Sequence, residues 1–318
     1  MLRALLLAAS LLALAAASAQ EYPARPIRII VPFPAGGTAD AMPRIFGEKF
    51  TTRWGQPVII DNRPGAAGNI GAEIVYKADP DGYTLLSAPA PPLVINQSLY
   101  PKLPFDPTRF APVGVMGAVP NALFVHPKVP AASVQELIAY AKGNPDKLNY
   151  SSQGNGTTSH LTTEMFKTAA GGLKIAHIPY KGAAPSIAAV LANEVSMMFD
   201  NLGVTLPHVL SGRLRALAVC SERRIVALPQ VPAMVEIYPG FVSIAWFGIV
   251  APPGTSPKIT ERLSRAIAEA LKLPDVAKRL SDLSAEPVGN TPAQMAAFMK
   301  EDAARWRKVI QAAGVRLD

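Results

Sequence analysis

Residues 26–48, PIRIIVPFPAGGTADAMPRIFGE, read as a strand, a glycine loop and a helix. Ile27 to Val31 is β-branched and apolar, which marks a strand buried on both faces of a parallel sheet. Pro32-Phe33-Pro34 ends it, because proline cannot donate to a strand ladder. Ile45, Phe46 and Phe50 then supply one apolar helix face. Gly36 and Gly37 let backbone approach a ligand closely, and the helix behind them offers unpaired N–H groups to an anion. Pro43 bears on the helix start. With Thr38 as N-cap, Pro43 would delete a helical hydrogen bond; with Asp40 as N-cap it falls at the third position and deletes none. The expected cap is therefore Asp40.

A second stretch has the same plan. Lys147–Tyr150 reads as a strand, Ser151–Thr158 as a polar glycine loop, and Ser159–Ala170 as a helix with Leu161, Met165, Phe166 and Ala169 on one side. Two anion-ready loops so far apart in the chain imply two lobes facing one cleft.

The chain has 318 residues, enough for large cores and one or two domains. Formal net charge is +8, but Lys/Arg pairs such as Arg223-Arg224 are short and lack interleaved aromatics, so no nucleic-acid partner is expected. Met1–Ala19 has the form of a signal peptide. Arg3 is its charged start, Ala4–Ala16 its apolar core and Ala17-Ser18-Ala19 its small-residue cleavage site. Its apolar run is shorter than the ~20 residues needed to span a bilayer. Cleavage after Ala19 and export are the expectation. Cys220, the one cysteine, lies in an apolar run and reads as buried and inert.

Further strands are expected at 57–62 and 83–87, with the glycine-rich turn Arg63–Asn69 and a helix through Ile70 and Val75 between them. Strand–helix alternation gives an α/β fold with a mostly parallel sheet. Residues 101–112 are proline-rich and read as irregular, and Ala122–His126 opens the second lobe. Strands at 174–180, 195–199 and 214–220 follow, with a helix over 185–193. The strand at 243–250 returns to the first lobe, and two long helices close the chain. The expected division is lobe 1 at 20–121 plus 244–318, and lobe 2 at 122–243.

Several motifs, in this order and spacing, carry a resemblance over the whole mature chain. They are Tyr22–Ile27, Pro34–Gly37 with Asp40, Asn62–Gly68, Pro80–Leu85, Gly156-Thr157 with His160-Leu161, Pro179–Gly182, Phe199-Asp200 and Ser211–Val219. The sequence resembles the Bug/TctC family of extracytoplasmic solute receptors of tripartite tricarboxylate transporters. The resemblance implies a type II periplasmic binding protein fold, in which two α/β lobes joined by crossing strands close on a ligand. It implies a periplasmic receptor whose Gly36–Asp40 and Ser151–Thr157 loops pinch a carboxylate. The ligand class is a di- or tricarboxylate, an acidic amino acid or an aromatic acid, delivered to membrane permease subunits. A monomer without cofactor or metal is expected. Pro43, Ala189, Ala192-Asn193, Gln230 and Ala233 depart from the family pattern, and Gln153 sits at a variable position suited to the ligand's far end.

The candidate ligand contacts are Phe33, Ala35, Gly36, Gly37, Thr38 and Asp40 in the first loop, and Ser87 and Ala88 at a strand's carboxyl end. Ser152, Gln153, Gly154, Asn155, Gly156, Thr157, Thr158 and His160 belong to the second loop and its helix, and Tyr180 and Asp200 complete the set. Ser152, Thr157 and Thr158 could equally serve as helix caps. Asp40 suits a structural role better than an anion contact, because like charges repel. Catalysis finds little support. There is no P-loop, dinucleotide fingerprint or nucleophile elbow, and His126, His160, His177 and His208 lack metal-ligand spacing. The alternatives are a receptor of the same fold that presents ligand to a membrane sensor kinase, and an exported hydrolase using Ser152, His160 and Asp200.

Overall fold

A computed structural model describes residues 22–317. The signal-peptide assignment over 1–19 lies outside the described residues.

Every residue of β1 (Ile27–Val31) except Arg28 is inaccessible to solvent, and the side chains divide between two cores. Ile27 and Ile29 join Met42 and Phe46 on one face, while Ile30 joins Leu86 and Trp306 on the other. That division is what alternation along a strand buried on both faces produces. β1 pairs in parallel with β2 (Val58–Asn62) and β3 (Thr84–Ala88). The strand order is β2-β1-β3-β9-β4-β7-β5-β6, continuous from one lobe to the other. The remaining strands are β4 (Ala111–Val125), β5 (Asn149–Ser152), β6 (Ala176–Pro179), β7 (Met197–Asn201), β8 (Arg215–Val219), β9 (Ile244–Ala251) and β10 (Glu286–Pro287). The helices are α1 (Thr38–Trp54), α2 (Asn69–Tyr76), α3 (Asn96–Leu99), α4 (Val134–Gly143) and α5 (Thr158–Ala169). They continue with α6 (Ala183–Leu191), α7 (Leu202–Leu210), α8 (Pro257–Ala270), α9 (Pro274–Asp282) and α10 (Pro292–Ala313).

The long strand β4 joins the two lobes. From Ala111 to Pro120 it pairs antiparallel with β9; from Asn121 to Val125 it pairs with β7 and, over most of that stretch, with β8. Residues 111 and 112, read as irregular, belong to β4, and the prolines of this strand are accommodated at irregularities. The register slips just after Pro112, and Pro120 stands where β4 changes partners, positions at which a missing donor is tolerated. Three helices, not two, close the chain: Pro274 begins α9, at a position where proline's lost N–H costs nothing. The start of α1 is also corrected. Gly37 is the N-cap, so Pro43 lies inside the helix and does remove a hydrogen bond. Asp40 sits in the first turn instead, and its carboxylate reaches back to the Gly36 N–H.

Among the described residues no helix is long and apolar enough to cross a membrane. Cys220 is buried, and burial pushes its thiol far above the usual range.

Candidate functional site

The two lobes meet at glycines. Gly36 has φ +91°, a left-handed conformation that favours glycine, and it turns the chain from β1 into α1. Gly37 is extended, yet a β-carbon there would lie 3.3 Å from the Ala183 Cβ of the other lobe. Beside it, a β-carbon on Gly182 would come within 3.0 Å of Pro34 Cγ. On the far side of the cleft a β-carbon on Gly156 would meet Leu99 Cδ1 at 2.9 Å and Ala67 Cβ at 3.7 Å. The Gly36–Thr38 loop therefore abuts the Gly182-Ala183 corner, and the Ser152–Thr157 loop abuts Leu99 and Ala67. Ala183 and Leu99 escaped the sequence reading because small or apolar residues outside a glycine motif carry no signal of a cleft, and Ala67 reads only as part of the glycine-rich turn Arg63–Asn69.

The first loop is braced by its acid. Asp40 accepts from Gly36 N, from Arg44 at 2.8 and 3.0 Å and from Asn62 Nδ2 at 2.9 Å, while Asn62 also donates to Phe33 O. Burial acts to raise the Asp40 pKa, but these donors outweigh it and hold the carboxyl below its usual range. Asp40 is thus a brace for the backbone around Gly36. Ala35 and Gly36 are exposed, whereas Phe33 and Gly37 are buried.

The second loop is tied internally. Ser152 Oγ lies 2.7 Å from His177 Nε2 and 3.2 Å from Gly154 N, and Thr157 Oγ1 donates to Gly154 O at 2.7 Å. Gln153 N donates to Ser159 Oγ and Gly156 N to His160 Nδ1, at 3.0 and 3.1 Å. Tyr180 N donates to Ser152 O, and the half-buried Tyr180 lies beside the loop. Asn155, at its tip, is exposed, and Thr158 is buried as the first residue of α5. The group Ser152, His160 and Asp200 is not assembled as a triad: Ser152 faces His177, His160 receives the Gly156 N–H, and Asp200 receives Gln153. Among the described residues no cluster of three metal-binding side chains occurs.

His160 stacks on His177 with ring centroids 4.2 Å apart. Burial lowers the His160 pKa to about 4. The unfolded chain takes up a proton here near pH ~6.5, but the folded chain does not until about 4. Stability is therefore lost as pH falls through this window, by up to about 1.4 kcal/mol per pH unit from this residue. In His160→Asn, which keeps an acceptor for Gly156, urea midpoints should depend less steeply on pH in that range.

Asn96 Oδ1, on α3 beside Ala67, is buried without a hydrogen-bond partner, and so are three further atoms: Thr38 Oγ1, Ser87 Oγ and Asp200 Oδ2. Their directions agree. Ser87 shares a strand face with Leu85, which packs with Met42 and Phe46 of α1. Asp200 shares a face with Met198, which packs in the same core as Ile187 and Val190 of α6. Thr38 opens α1, and the starts of α1 and α6 touch through Gly37 and Ala183. All three atoms thus belong to the same side of the continuous sheet, with Ser87 opposite Ile249 in the first lobe and Asp200 opposite Ala122 in the second. Ala88 points to the opposite core. Each unpaired group costs about 1–3 kcal/mol, a cost that a polar ligand removes. A separate groove of about 870 Å³, between residues 221–227 and the helix α9 with strand β10, includes none of these atoms.

The family model of the tripartite tricarboxylate transporter family receptor, TctC, matches residues 42–315. The chain belongs to the TctC family. BugT of Bordetella pertussis is 40% identical over 303 residues, covering 94% of this chain and 93% of its own. A Rhodopseudomonas palustris protein solved with adipate is 36% identical with a TM-score of 0.89, covering 93% of this chain and 99% of the other. MatC from the same organism, with bound malate, is 30% identical with a TM-score of 0.85, covering 91% and 100%. The fold is the two-lobe α/β periplasmic binding protein fold of these TctC relatives, which are solute-binding receptors.

Proposed function

We propose that this TctC-family chain is a periplasmic receptor that captures a small organic carboxylate between its lobes and delivers it to a tripartite tricarboxylate-type membrane transporter. The observation that carries this reading is the set of partnerless buried atoms, Thr38 Oγ1, Ser87 Oγ and Asp200 Oδ2, on one side of the sheet that runs through both lobes. The relatives solved with adipate and malate support it.

In this reading the Thr38 and Ser87 hydroxyls donate to the ligand carboxylate, together with the N–H groups that open α1 and have no preceding turn to bond. Asp40 and the internal bonds of the Ser152–Thr157 loop keep both loops in place before the ligand arrives, which reduces the cost of ordering them. The lobes divide at 121/122 and 243/244, and the change of partners along β4 supports that division. Closure is favoured because the ligand touches both lobes only in the closed form. The protein works as a monomer without cofactor and changes no covalent bond. Export through the segment 1–19 delivers it to the periplasm, which the family membership supports.

A thermal-shift screen of the protein lacking residues 1–19 tests the reading against organic acids, amino acids and neutral sugars. A ligand of the native state stabilises by about 2.7 kcal/mol at a hundredfold excess over Kd. The expected result is a concentration-dependent rise confined to compounds with a carboxylate. A rise with neutral sugars and none with acids would remove the carboxylate assignment.

A further inference from the structure

Asp200 is the one acid of the candidate site whose surroundings do not explain it. It is completely buried at the carboxyl end of β7. Its Oδ1 accepts from Asn201 N at 2.6 Å and from Gln153 Nε2, while its Oδ2 accepts from nothing. The neighbours that could serve Oδ2 are committed elsewhere. The Asn201 side chain donates to Asn121 Oδ1 at 2.9 Å, and Asn121 donates to Ser243 Oγ at 2.9 Å. Among the described residues no cation pairs with Asp200. Burial accordingly pushes its carboxyl up to about 7, against the two hydrogen bonds to Oδ1.

The polarity of the cleft thus differs from end to end. Thr38 and Ser87 carry hydroxyls that can donate, and Thr38 opens α1, whose start favours an anion. Asp200 presents acceptor lone pairs from the other lobe. A ligand filling the cleft meets donors at one end and an acceptor at the other.

We propose that Asp200 sets specificity at the far end of the cleft, and that the ligand is an acid which also carries a hydrogen-bond donor, an ammonium or hydroxyl group, directed at Asp200 Oδ2. This rests on the receptor reading above and narrows its ligand class. A second carboxylate at this point faces like-charge repulsion, and an alkyl end leaves the buried oxygen unpaired. A site built to bond a polar hydrogen rejects the analogue lacking it far more strongly than a pocket that senses only size. Gln153 holds the other oxygen, so the carboxylate is fixed before the ligand arrives.

Calorimetric titration with acids of equal chain length tests this, at mildly alkaline pH where Asp200 is ionised. The four-carbon set is butyrate, 4-hydroxybutyrate, 4-aminobutyrate and succinate, and matching sets run from three to six carbons with the substituent on either end of the chain. In the best-fitting set the hydroxy or amino member should bind roughly 100-fold more tightly than the alkyl and dicarboxylate members. Asp200→Asn keeps the oxygen that Gln153 and Asn201 hold and puts a donor in place of Oδ2. There the advantage should vanish and the dicarboxylate should gain. A dicarboxylate that binds wild-type protein as tightly as the amino and hydroxy members overturns the assignment and leaves the receptor reading standing, as does a preference unchanged in Asp200→Asn. Failure of every acid to bind removes both. Should Asp200→Asn not fold, the wild-type comparison decides alone.

Discussion

Gly37→Val is expected to weaken ligand binding by about 100-fold or more while leaving the melting temperature of the ligand-free protein close to that of wild type. A β-carbon at Gly37 already reaches 3.3 Å from Ala183 Cβ, and the two methyl groups of valine extend further into the same gap. The backbone at Gly37 is extended, so valine brings no conformational strain there. The clash exists only when the lobes are together, so the variant destabilises the closed form relative to the open one. Apparent affinity falls in proportion to the lost population of the closed form. Calorimetric titration with the acid that gives the largest thermal shift measures the effect. Wild-type affinity in the variant would mean that closure at Gly37 and Ala183 is not part of binding.

Trp306→Ala is expected to cost about 3–5 kcal/mol of stability, the largest effect of any single core truncation proposed for this chain. Trp306 is completely buried on α10, in the core shared by Ile30, Leu86, Trp246 and Ile310. The helix is held to β9 by a second contact, in which Trp246 Nε1 donates to Asp302 Oδ2 at 2.8 Å. Trp306→Phe should cost less, because it keeps an aromatic ring and removes a buried indole N–H that has no partner. Urea denaturation of the three proteins gives the comparison. Equal losses for Ala and Phe would show that ring volume is not what Trp306 supplies.

The fold was legible where a residue type has one physical reading. Ile27 to Val31 has no polar face to offer solvent except at Arg28, so a doubly covered strand was the only stable outcome. The two long helices expected at the end of the chain include α10, which the capping box of Thr291 and Gln294 opens with both of its hydrogen bonds present. Proline misled where it has two readings. Pro112 closed the stretch read as irregular yet lies within β4 at a register slip, while Pro120 stands at a change of partner and Pro274 at a helix start. The cap of α1 depended on Asp40 reaching backwards to Gly36, a contact fixed by Arg44 and Asn62, and Asn62 belongs to a different strand. In the site, Ser87 and Asp200 stood out because they end strands, where α/β sheets present ligand-facing groups. That their outer oxygens lack partners depends on which neighbours Gln153, Asn121 and Asn201 choose, and no local pattern records those choices.

The most direct measurement is a crystal structure with the acid that stabilises the protein most. The account predicts its carboxylate between Thr38, Ser87 and the start of α1, with the rest of the molecule reaching towards Asp200 and the Ser152–Thr157 loop. An acid bound instead in the groove between residues 221–227 and the helix α9 with strand β10, with Thr38 and Asp200 untouched, would contradict it.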